Sequence, residues 1–202
     1  MANKQFPPGY DVVARLWSVY DEFRTIKMNR MYYEHKLSRA RRTIKIIDIV
    51  IALGSSTSTG IAAWSIWKEP VFSDLWSVIA GITSIIIIIK PQMDLGKNVA
   101  SYGKLYAGFK VLEISYFRII DDLKFSKCFN FETDKALRAL DADLDKLDVT
   151  DDFKTDTSLI RRLEARVRDQ HPATSFWIPR SHEENCVEYD NEAGRDHEKA
   201  AG

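Results

Sequence analysis

Two long uncharged runs, joined by a short connection and flanked by charge, constrain this chain more than any other feature. Ile49–Trp67 is nineteen residues without a charged side chain. At about 1.5 Å per helical residue it reaches roughly 28 Å, close to the thickness of a bilayer core. Leu75–Ile89 adds fifteen more and ends in "IIIII". Counted from Val71, the second run reaches the ~17 residues a spanning helix needs. Residues 46–89 hold only four ionisable side chains, Asp48, Lys68, Glu69 and Asp74. The pattern predicts spans at about 46–67 and 71–89, inside a transmembrane hairpin over 46–90. The competing fold is a helical hairpin buried in a soluble bundle.

The connection "KEPVFSD" is short, and Pro70 suits a turn or the first position of a helix. Trp64, Trp67 and Trp76 gather at this end, as an aromatic belt at a headgroup interface would. The opposite end is basic. Arg39, Arg41 and Arg42 precede the first run within "RMYYEHKLSRARRTIK", and Lys90 follows the second. Positive charge stays on the cytoplasmic side, so both termini are expected there, with the Trp-rich turn outside. Asp48 is the one ionisable residue clearly inside a span, since Asp74 sits at the start of the second. It is either a functional intramembrane carboxylate or a near-interface group paired with Lys45 or Arg41.

"GSSTSTG" interrupts the first run with small and hydroxylated residues: Gly54, Ser55, Ser56, Thr57, Ser58, Thr59 and Gly60. Within a membrane helix such residues can bond back to carbonyls one turn earlier. They also let helices approach closely. Ser77, Gly81 and Ser84 offer a matching small surface on the second span. One face of the run therefore reads as the seam of the hairpin. The remaining hydroxyls are expected to face other copies of the chain, either as packing or as the lining of a water path. The missing Gly-Lys-Ser/Thr ending and the lack of a preceding strand speak against a phosphate-cradling loop.

Outside the runs the pattern is helical. An N-terminal cytoplasmic helix over 1–45 carries Val12, Leu16, Tyr20, Phe23 and Ile26, then Tyr33, Leu37, Ala40 and Ile44 after an interruption at Arg30. A long helix over 91–127 carries Leu95, Val99, Tyr102, Tyr106, Phe109, Leu112, Tyr116, Ile119 and Leu123. The two stripes predict an antiparallel stalk. Short helices are expected over 130–179, one in "LRALDADLDKLD" and one in "SLIRRLEARVRD" capped by Thr157 or Ser158. Residues 180–202 read as a disordered tail. The fold class is thus an all-α membrane protein: a two-span hairpin, a cytoplasmic helical stalk and short C-terminal helices.

Chemistry is sparse. Asp141, Asp143 and Asp145 do not make a calcium loop, because Lys146 stands where its glycine belongs and Asp152 where its glutamate belongs. The four histidines lack metal-ligand spacing with Cys128 and Cys186, which read as reduced thiols. No catalytic constellation, metal site or cofactor is expected, and the chain reads as a non-enzyme. A net charge of zero gives no pull toward nucleic acid.

A basic amphipathic helix, two spans and a long helix opening with "NVASYGKLYAGFKVLE" resemble the SLATT family over residues 10–125. That resemblance implies a two-span bacterial effector of nucleotide-signalled anti-phage defence. It would oligomerise, permeabilise the inner membrane and answer to a cytosolic sensor or nucleotide-signalling protein. The alternative is a non-conducting membrane scaffold whose stalk docks such a partner.

Overall fold

The computed structural model describes residues 10–56, 70–90, 94–147 and 155–179. Among them are five α-helices and no strand: α1 (Val12–Ser56), α2 (Pro70–Ile89), α3 (Leu95–Ser126), α4 (Phe131–Asp145) and α5 (Thr157–Gln170). A single 3₁₀ turn, Ala173–Ser175, follows them. The all-helical expectation holds. Among the described residues no helix is long and apolar enough to cross a membrane. Much of the first apolar run, 57–67, lies outside those residues, as do Trp64, Trp67 and the 180–202 tail.

The helix ends follow local rules. The Asp11 carboxylate accepts from Ala14 N–H at 3.0 Å and starts α1. Asn130 caps α4 by accepting from Thr133 N–H at 2.8 Å. Asp156, rather than Thr157 or Ser158, caps α5. Its carboxylate takes Leu159 N–H at 3.0 Å and Ser158 Oγ–H at 2.8 Å. An ionised acceptor one residue earlier wins over the neutral hydroxyls. Lys127 stops α3 in the left-handed region at φ 47°.

The chain divides into two compact units. The first comprises Met1–Tyr32 and Leu105–Gly202; the second is Tyr33–Lys104. In the first unit α1 and α3 run antiparallel: Glu22 meets Tyr116, and farther along α1 Arg30 pairs with Glu113, lower on α3. The expected stripes form its core. Leu16, Tyr20, Phe23 and Ile26 of α1 and Phe109, Leu112, Tyr116 and Leu123 of α3 are all buried. Leu137 of α4 and Leu163 and Val167 of α5 close over them. α1 is one continuous helix through Arg30, where the apolar stripe gives way to a half-buried charge.

Gly108 on α3 marks a close approach. A Cβ there would sit 2.5 Å from Leu147 Cδ2. In the second unit Tyr33 and Tyr102 are buried with ring centroids 6.3 Å apart, and Lys36 Nζ lies 5.3 Å from the Tyr102 ring centre.

Candidate functional site

The second unit holds a charged collar beside its most apolar helix. Lys90 Nζ donates to Asp48 Oδ1 at 2.6 Å. Arg41, Ile44, Lys45, Asp48, Ile49 and Ala52 line an open groove of ≈ 390 Å³. Arg41 and Lys45 thus face the same groove, but the cation that holds Asp48 is Lys90, brought in from the far end of α2. Arg39, Arg41 and Arg42 are exposed on α1.

Away from the collar, α2 leaves Val78, Ile82, Ile85, Ile87, Ile88 and Ile89 exposed, Ile88 by 66%. Their positions run nearly around the helix, where a water-facing helix would carry polar residues.

The small-residue set is only partly described. Gly54, Ser55 and Ser56 form the last turn of α1, while Thr57, Ser58, Thr59 and Gly60 lie outside the described residues. Ser77 and Trp76 belong to α2. Ser84 is exposed, and among the described residues nothing lies within 4 Å of a Cβ built on Gly81. Thr83 of α2 is buried, at 5% exposure.

The first unit contains a polar network that was not among the expected sites. Arg15 is its centre, with Nη2 2.8 Å from Asp141 Oδ2, Nε 3.2 Å from Asp134 Oδ1 and Nη1 3.8 Å from Glu22 Oε1. Tyr10 O–H and Arg138 Nε–H each donate to Asp134 at 2.8 Å. Tyr116 O–H donates to Asp141 and, at 3.3 Å, to Glu22. Burial acts to raise the Asp134 carboxyl, but hydrogen bonds from Arg138, Tyr10 and Arg15 outweigh it and hold the carboxyl low. Burial likewise opposes Asp141, and hydrogen bonds from Tyr116 and Arg15 win there too. Glu22 goes the other way: burial raises it, and the neighbouring Asp141 charge adds to the rise.

The network clamps α4 onto α1 and α3 through Asp134 and Asp141. The signal was in the sequence. Asp134, Leu137 and Asp141 recur at three-four spacing, which puts two acids on the buried face of α4.

A second cluster docks the segment after α5. Arg24 Nε and Nη2 donate to the His171 carbonyl at 3.1 and 2.9 Å. Lys27 Nζ lies 2.6 Å from His171 Nε2. Phe176 stacks on Tyr20 at 4.1 Å between centroids, and Tyr20 O–H donates to the Trp177 carbonyl. Burial pushes the Tyr20 hydroxyl up to about 12. The His171 ring is held below its ordinary range, by burial first and then by the charges of Lys27, Lys124 and Arg24.

Among the described residues no group of His, Cys, Asp or Glu could hold a metal ion. Cys128 is disulfide-bonded, which corrects the expectation of reduced thiols; the chain's other cysteine, Cys186, lies outside the described residues. No family model, curated protein or solved structure matches the chain.

Proposed function

We propose that the chain is a two-span membrane effector that self-associates and permeabilises a bacterial inner membrane, in the manner its likeness to the SLATT family implies. The observation that carries the reading is the α2 surface. Six exposed isoleucine and valine side chains occupy one helix, which suits hydrocarbon and is costly in water. The Asp48–Lys90 pair then lies where the apolar surface ends, beside Arg41 and Lys45. Such a collar fits a headgroup boundary on the cytoplasmic side. The Cys128 disulfide pulls against that side, since disulfides persist in oxidising compartments. Orientation is therefore the first element to test.

The permeabilising step has its own test. Ser56→Leu adds a branched side chain to the small-residue run and raises its hydrophobicity, so insertion survives while close packing between copies is lost. The purified chain reconstituted in liposomes should release an entrapped dye. The Ser56→Leu chain should insert equally and release little. Equal release by both chains removes the small-residue run from the function.

A further inference from the structure

We infer that the outer face of α3 is an interface that takes a second copy of this chain, with Arg118 of each copy set against Asp121 of the other. The core side of α3 is occupied by Phe109, Leu112, Tyr116, Ile120 and Leu123, all buried. On the opposite side a second apolar stripe is left open. Val111 is 64% exposed, Ile114 45% and Phe125 81%. With Arg118 and Asp121 between them, these positions advance by three, four, three and four residues. That 3.5-residue average is the repeat of a helix seam. The stripe covers two heptads, about 21 Å of helix.

The two charges in the seam decide what covers it. Neither Arg118 nor Asp121 has an ion-pair partner among the described residues. A lipid surface against Val111, Ile114 and Phe125 would drag both charges toward hydrocarbon, at a cost. A second copy removes that cost. An isologous interface makes every contact twice, so one acid and one base at adjacent seam positions neutralise each other reciprocally. The stripe is self-complementary in charge as well as apolar. Two heptads make a weak contact alone, and copies confined to one membrane or micelle meet at high effective concentration.

The inference stands apart from membrane leakage, and its test reads stalk association only. Arg118→Asp gives a seam with two acids and Asp121→Arg a seam with two bases. Both positions lie outside the core, so helical content should be unchanged. Full-length chains in detergent, labelled for energy transfer, should self-associate about tenfold more weakly in either variant than in the wild type. Mixing the two variants should restore association, because unlike seams now meet. The double variant R118D/D121R should also associate with itself. A wild-type chain that never self-associates, single variants that associate as well as wild type, or a mixture no better than its parts would each overturn the interface. Single variants that behave as wild type would assign the stripe to lipid or to another protein.

Discussion

Lys27 Nζ sits 2.6 Å from His171 Nε2, so two groups that both carry protons are held in one hydrogen bond. The ammonium can donate only if Nε2 keeps its lone pair, which fixes the ring as neutral. Arg24 on α1 and Lys124 on α3 add positive charge, and Phe23 presses its ring edge-on at 5.1 Å. Protonating His171 would place a cation against three others. Its folded pKa lies below the ordinary value near 6.5. The neutral ring therefore stabilises the fold above about pH 6.5, and that stability is lost as pH falls through the lowered value. His171→Gln keeps an acceptor and cannot titrate. Urea unfolding from about pH 7 to pH 5 should show wild type declining relative to His171→Gln. Parallel curves would remove His171 from the acid response.

Arg15 should matter more than any acid it holds. Arg15→Met removes the counter-charge shared by Asp134, whose side chain is only 5% exposed, and Asp141 in one step. A loss of about 3 kcal/mol is expected. Glu22 sits 3.8 Å from Arg15 with a side chain 30% exposed, so Glu22→Gln should cost less than about 1 kcal/mol. Denaturant titration of both variants checks the order, and equal losses would mean that Arg15 does not organise the network.

Two glycines of α3 should respond oppositely. Among the described residues nothing lies within 4 Å of a Cβ on Gly103, so Gly103→Ala should stabilise by about 0.5–1 kcal/mol through helix propensity. Gly108 faces Leu147 at 2.5 Å. Gly108→Leu must displace that side chain and should cost about 1–3 kcal/mol. Thermal melts of the pair test whether α3 meets the segment after α4 as described.

The all-helical class, the stripes of α1 and α3 and their antiparallel sense were legible, because apolar residues at three-four spacing leave a helix few other ways to bury them. The gap in the α1 stripe at Arg30 was legible as a charge among apolar positions, but its partner Glu113, on another helix, was not. Asp141 was weighed only as a calcium ligand, because its true partners, Arg15 and Tyr116, lie far away in sequence. Lys90 as the partner of Asp48 was missed for the same reason: forty-two residues separate them. The Gly108 contact depends on a neighbour that no single-helix pattern contains.

The central claim is that the two apolar runs cross a bilayer as a hairpin whose ends share one side. It is tested most directly by labelling intact cells with a membrane-impermeant maleimide. In a Cys128→Ser/Cys186→Ser background, Glu69→Cys probes the connection between the runs and Glu192→Cys probes the tail. The account predicts that Glu69→Cys is labelled in intact cells and Glu192→Cys only after lysis, with both chains staying in carbonate-washed membranes. A chain released into the carbonate supernatant, or a tail probe labelled from outside, would contradict it.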